Sequence, residues 1–232
     1  MIALALAFYL VFILPGRHLW RSVRPDDAPK PALTQRYLLS IRDIGLTLLV
    51  LLAICWWNGY SAADMGLAAP TSGAPLWYLV AAVVAMTALL AGSAIQSARM
   101  TPEKVTEALD KGRDTGMPAD ADELRLFAIL VLSLGAGWEL LYRGFLLLVL
   151  TPYIGTWGAV AVSGLTYGAA HGYKNPRQFT LSVVSALLFA AGYALSGSLW
   201  WLMVIHIGMP LSGAVSMIQL RRRELQLASS AD

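Results

Sequence analysis

Cysteine is almost absent: Cys55 is the only one in 232 residues. One thiol cannot close an internal disulfide or build a cysteine-based metal site. Cys55 lies inside an apolar run and reads as a small filler there. Charge is scarce as well. Asp, Glu, Lys and Arg make up 13% of the chain, against roughly a quarter in an average soluble domain. That poverty excludes a disordered charged tail and a nucleic-acid-binding surface. In place of charge stand apolar residues, 57% of the sequence. The composition is that of an integral membrane protein whose immediate surroundings are a lipid bilayer.

A spanning helix needs about 20 mostly apolar residues. Seven runs qualify or come close: Ile2 to Leu14, Ile44 to Tyr60, Leu76 to Gln96, Leu126 to Leu150, Ile154 to Ala170, Phe179 to Leu195 and Leu199 to Leu220. The expected fold is therefore all-α, a polytopic bundle of about seven transmembrane helices forming one membrane domain over 1–232. The first run is short, ends at Pro15-Gly16, and spans only if it borrows the residues as far as Trp20. It has neither the basic start nor the small-residue cleavage site of a signal peptide.

The basic residues are one-sided. Arg17, Arg21, Arg24, Lys30, Arg36 and Arg42 lie between runs one and two, and Arg99, Lys104, Lys111, Arg113 and Arg125 between three and four. Lys174 and Arg177 separate runs five and six, and Arg221 to Arg223 follow run seven. The alternate connections, Ser61 to Pro75, Thr151 to Tyr153 and Ser196 to Ser198, hold no Lys or Arg. The positive side is expected to face the cytoplasm, with the C terminus on it. The longest connection, 97–124, is expected on that side too. It contains a helix start at Thr101-Pro102-Glu103, with Thr101 as the capping hydroxyl. Gly112, Gly116 and Pro118 end that helix, and Asp120, Asp122, Glu123 and Arg125 make a solvated entry to run four.

Two charged side chains fall inside a spanning run, Glu139 and Arg143. A membrane charge costs at least about 2.5–3.5 kcal/mol on insertion scales, so it needs a partner and usually has a role. Spaced four apart, acid first, the two share a helix face. They can be a self-neutralising packing pair or part of a site. His171 closes run five and His206 lies mid-way along run seven, whereas His18 falls in the basic connection and reads as solvated. Two imidazoles and one carboxylate on three helices can activate a water. They are also a candidate ligand set, Glu139, His171 and His206, for a divalent metal such as zinc. Glycines nearby, Gly135 and Gly137, Gly164 and Gly168, Gly208 and Gly213, suit close helix approach.

Glu139-Leu140-Leu141-Tyr142-Arg143-Gly144 resembles the second half of the EExxxRG signature of the CAAX-protease and bacteriocin-processing family of intramembrane proteases. Tyr167-Gly168-Ala169-Ala170-His171 is similar to its FxxxH motif, and His206 to the histidine of its HxxxN/D motif. The resemblance covers about 120–213. It implies a membrane endopeptidase, as in the bacterial inner membrane, that hydrolyses membrane-associated, prenylated or leader peptides. In that reading Glu139 and His171 activate water, Arg143 holds Glu139, and His206 orients substrate or stabilises the oxyanion. Two positions depart from the pattern. Trp138 stands where the family has its water-activating Glu, and Pro210 where it has Asn or Asp. Indole is a donor only, and proline brings neither a polar side chain nor an N–H. The alternative is therefore a family member without catalysis, acting as a membrane scaffold or immunity-type binding protein. A transporter using the same polar set is a third reading, unsupported by any broken inverted repeat.

The orientation is testable in a Cys55→Ser background. A cysteine placed by Ser72→Cys should react with an impermeant maleimide on intact cells. One placed by Ser229→Cys should react only after permeabilisation; the reverse pattern would overturn the assignment.

Overall fold

The computed structural model describes residues 1–24 and 31–229, so Lys30 of the basic connection lies outside the described residues. No strand occurs among them. The elements are α1 (Ile2–Phe8), a first π-helical turn (Tyr9–Ile13), α2 (Leu14–Val23), α3 (Leu33–Asn58), α4 (Gly73–Arg99) and α5 (Pro102–Asp114). There follow α6 (Ala121–Glu139), a second π-helical turn (Leu140–Phe145), α7 (Leu146–Ala170), α8 (Pro176–Ser196) and α9 (Trp200–Ser229).

Among the described residues six helical stretches are long and apolar enough to cross a bilayer. The seven sequence runs fall into six because runs four and five join in Ala121–Ala170, which is 50 residues long. That stretch is not one rod. Gly155 has φ 71° and ψ 165°, a conformation outside the helix, three residues after Pro152. A side chain at that φ would be strained, so glycine marks the turn between the two spans. Leu49, Leu52, Val84 and Leu188 point outward, exposed, as lipid-facing side chains do. Trp56, Trp57, Trp77, Tyr153 and Trp157, also exposed, flank the connections that lack Lys and Arg. Such rings settle at a membrane–water interface, where an amphipathic aromatic has one apolar and one wet side.

Contacts gather the chain into two compact units. The first comprises Met1–Lys30, Gly45–Leu79 and Gly137–Leu202; the second comprises Pro31–Ile44, Val80–Ala136 and Met203–Asp232.

Within the first unit, the first apolar run does not stop at Pro15. Helix continues from Ile2 to Val23, 22 residues, which is long enough to span. The π turn explains how. Its wider register bonds the Leu14 N–H to the Tyr9 carbonyl. In that register the Leu10 carbonyl would need the N–H of residue 15, and proline has none. The Tyr142 hydroxyl supplies the donor, 3.0 Å from the Leu10 oxygen and fully buried. Tyr142 itself sits in the second π turn, whose own Tyr142 carbonyl accepts from the Ser163 hydroxyl at 2.7 Å. The two irregular turns are therefore clipped together, and α7 is tied to the second.

Helices α7 and α8 run in close contact through Gly164 and Gly168. A Cβ on Gly168 would lie 2.7 Å from the Val183 Cα, and one on Gly164 2.8 Å from the Leu187 Cα. Both clashes are with backbone, so the spacing of the two helices depends on the missing side chains.

In the second unit, Tyr37, Phe127, Leu130, Val131 and Ala214 form the core. The Tyr37 hydroxyl donates to the Gly116 carbonyl at 2.6 Å, which anchors the end of the 97–124 connection. Helix α5 lays Val105 and Leu109 on Leu220 of α9. The helix begins where expected, but the Thr101 side chain makes no capping bond to it. The Thr101 hydroxyl bonds the Glu103 carboxylate instead, and this holds that carboxyl below its usual range. The charged entry to α6 is solvated as expected, with Asp120 accepting from the N–H groups of Asp122 and Glu123.

Tyr142→Phe should lower the melting temperature in detergent, since it leaves a buried carbonyl without a donor. The loss should be about 0.6–2 kcal/mol, the span found for helix–helix hydrogen bonds in membranes. A stability unchanged from wild type would mean that another donor serves Leu10.

Candidate functional site

The polar centre of the first unit is built on the π turn. Glu139 ends α6 and Arg143 lies within the turn, four residues on. Both side chains have 0% exposure, and Arg143 Nε lies 3.5 Å from Glu139 Oε2. That is an ion pair held at contact distance, slightly longer than a hydrogen bond. The guanidinium has two further anchors. Its Nη2 donates to the Ala186 carbonyl of α8 at 3.4 Å. Its Cζ lies 4.0 Å above the centre of the Tyr167 ring. Arg143 Nε and Nη1 have no hydrogen-bond acceptor among the described residues, so the ring's negative face stands in for one, as a desolvated cation–π contact can.

Tyr167 is the hub of this centre. Tyr142 packs edge-on at 5.2 Å between ring centres, Trp138 edge-on at 6.2 Å and His171 edge-on at 4.6 Å. Trp138 also lies 5.7 Å from Tyr142. The indole thus fills space with aromatic contacts at the position where the family pattern has a carboxylate. His171 follows α7 and is exposed. Its Nδ1 lies 3.0 Å from the Tyr167 carbonyl oxygen. A carbonyl only accepts, so that bond requires the hydrogen on Nδ1 and assigns the basic lone pair of a neutral ring to Nε2. Beyond His171 the chain is strapped to α2, where the Ser22 hydroxyl accepts from the Tyr173 N–H at 2.8 Å.

The structure therefore joins Glu139, Arg143 and His171 of the expected set in one chain of contacts through Tyr167. His206 belongs to the second unit, half-buried on α9. There α9 passes close to α6, since a Cβ on Gly135 would lie 2.6 Å from Ile207 Cγ1. Pro210 is carried inside α9. Among the described residues no three His, Cys, Asp or Glu side chains gather into a group able to hold a metal ion. The chemistry proposed below uses the side chains of the first unit. Sequence reasoning missed Tyr167 as the centre of the cluster and Ser163 and Ala186 as its supports. A signal existed for the first: Tyr167 stands four before His171 and so shares its helix face. Nothing in the sequence singled out the other two.

This π turn, with its buried Glu–Arg pair and a histidine on the next helix end, lies inside a segment with known relatives. Residues 121–211 match the Rce1-like family, described as type II CAAX prenyl endopeptidase Rce1-like. The match covers less than half of the chain. It agrees with the resemblance read from the motifs and supports, at the level of the family, a CAAX-protease-type intramembrane endopeptidase. No curated protein and no solved structure gives a significant match to the chain.

Removing one member of the pair leaves the other charged and desolvated, a change that typically costs about 3–5 kcal/mol. Arg143→Ala should therefore lower thermal stability in detergent more than Arg143→Ala combined with Glu139→Gln. Equal losses would show that the two charges are not coupled.

Proposed function

We propose that the chain is an intramembrane endopeptidase of the CAAX-protease type, acting on membrane-associated peptides such as prenylated C termini or leader segments. In this reading His171 takes the proton from the attacking water, and Glu139 with Arg143 holds His171 in place through Tyr167. The observation that carries the assignment is the contrast in exposure: Glu139 has none, behind Arg143 and Tyr167, while His171 is open to solvent. A base must reach its water, and positioning groups need not.

The chemistry follows from the His171 tautomer. With Nδ1–H held by the Tyr167 carbonyl, Nε2 accepts a proton as water adds to the peptide carbonyl carbon. The C–O bond forms, and the carbonyl electron pair moves to its oxygen. The oxyanion pair then re-forms the carbonyl as the C–N bond breaks, and the imidazolium returns the proton to the departing amine. Arg143 contributes through Tyr167. Its guanidinium fixes the ring, and the ring and its carbonyl fix His171. His206 is assigned substrate orientation or oxyanion stabilisation, as the family pattern implies. The basic face that carries His171 is assigned to the cytoplasm.

A second reading has its own observation. Trp138 occupies the family's base position and is engaged by Tyr142 and Tyr167. A member of this kind that binds a membrane peptide without cleaving it would serve as a scaffold or immunity-type protein.

Processing of a tagged membrane substrate in cells separates the two. Under the first reading wild type cleaves, His171→Ala loses about 100-fold or more, as removal of a general base does, and Glu139→Gln keeps a measurable rate. Cleavage that survives His171→Ala but not Glu139→Gln would return the base to Glu139. Retained substrate capture with no wild-type cleavage, and a gain only in Trp138→Glu with Pro210→Asn, would establish the scaffold.

A further inference from the structure

Far along the chain from the π turn, the second unit holds a cleft of about 420 Å³ where α4 ends and α5 begins. It is lined by Gly92, Ile95, Gln96, Arg99, Met100 and Lys104. Two cations and an amide meet there with apolar side chains, and no carboxylate lines it. Neither Arg99 nor Lys104 has an ion-pair or hydrogen-bond partner among the described residues. Their basic neighbours are committed elsewhere: Arg223 donates to the Ser97 carbonyl at 2.5 Å, and Arg221 pairs with Glu224. Glu103, next to Lys104 in the chain, accepts from the Thr101 hydroxyl and does not line the cleft. The two cleft cations thus have no ion-pair partner within the cleft, and it opens at the N-terminal end of α5, a 13-residue helix.

The position of the cleft narrows the class of anion. Arg99 is the last residue of a 27-residue apolar helix, so it stands at the water edge of the membrane. One turn and more into the membrane along the same helix, Gly92 leaves open space, with nothing within 4 Å of a Cβ built there. Ile95 and, further in, Leu89 and Leu90 are exposed. A polar, cationic mouth continuous with an apolar lipid-facing strip matches a molecule with a phosphate at one end and a hydrocarbon chain at the other.

We propose that this cleft is a binding site for an anionic phospholipid, its phosphate held by Arg99 and Lys104 and its acyl chain lying along α4 past Gly92. The site is independent of the peptidase reading, since it uses none of the residues assigned to that chemistry. It would seat the protein against the acidic leaflet of the membrane, on the face proposed as cytoplasmic.

The test uses the full-length protein in detergent, titrated with dioleoylphosphatidylglycerol and, separately, with inorganic phosphate, and read by native mass spectrometry. Wild type should retain one phosphatidylglycerol tightly and inorganic phosphate weakly. Arg99→Gln with Lys104→Gln should weaken lipid retention about 25-fold, taking roughly fivefold for each basic residue near an acidic lipid surface. Lys111→Gln with Arg113→Gln, an equal charge loss elsewhere on α5, should leave it unchanged. Gly92→Leu should weaken lipid binding with both charges kept, because it fills the open strip. Equal weakening by both double variants would overturn the site in favour of diffuse charge attraction. Phosphate binding as tight as lipid, with Gly92→Leu harmless, would overturn the lipid in favour of a free phosphate.

Discussion

An ion pair with no contact with water is the constraint on which the first unit depends. Glu139 and Arg143 are both fully buried, and the penalty for desolvating either charge alone is several kcal/mol. Mutual attraction at 3.5 Å offsets part of that penalty; the rest must come from other groups around the guanidinium. The Ala186 carbonyl and the face of Tyr167 supply it. Both lie close enough only because α7 and α8 approach through Gly164 and Gly168. The tight helix contact and the buried charge pair are therefore one arrangement. A larger side chain at either glycine would move Ala186 away from Arg143 as well as separating the helices.

The π turn is the second consequence. Widening the helix at Leu140–Phe145 disturbs the regular carbonyl ladder just where the chain carries its charge. Turns of this kind recur at functional sites because they re-aim side chains without ending the helix. Here Ser163 bonds the Tyr142 carbonyl, and the Tyr142 hydroxyl bonds the Leu10 carbonyl left without a donor by Pro15. The first helix is thereby part of the scaffold of the polar centre. Its proline is accommodated by a hydroxyl that reaches the Leu10 carbonyl from 132 residues further along.

Tyr167 converts this scaffold into the candidate site. It receives Arg143 on its face and lies against the rings of Trp138, Tyr142 and His171, while its carbonyl sets the tautomer of His171. Interior charge and exposed imidazole are connected through one aromatic side chain. A carboxylate enclosed in this way suits positioning better than proton transfer. This is why the proposed chemistry places the base at the open end of the cluster.

Composition and the spacing of apolar runs were enough to establish an all-helical membrane protein, because lipid leaves a spanning backbone no alternative to internal hydrogen bonds. The Glu139–Arg143 pairing was legible too, since four residues on a helix bring two side chains to one face whatever surrounds them. The family-like order of Glu139, His171 and His206 was legible in the same one-dimensional sense. Three things were decided only by the folded chain. The first span passes Pro15 because a π turn and a distant tyrosine hydroxyl serve the Leu10 carbonyl, a contact no local pattern encodes. Thr101 donates its hydroxyl to the Glu103 carboxylate, a charge-assisted bond, and makes no capping bond to the helix amides. Glu139 proved enclosed and His171 open, because exposure depends on which helices pack over a side chain. The sequence determines the periodicity of the helices and the charges they carry, both local properties; which charges meet water follows from contacts between residues far apart in the chain.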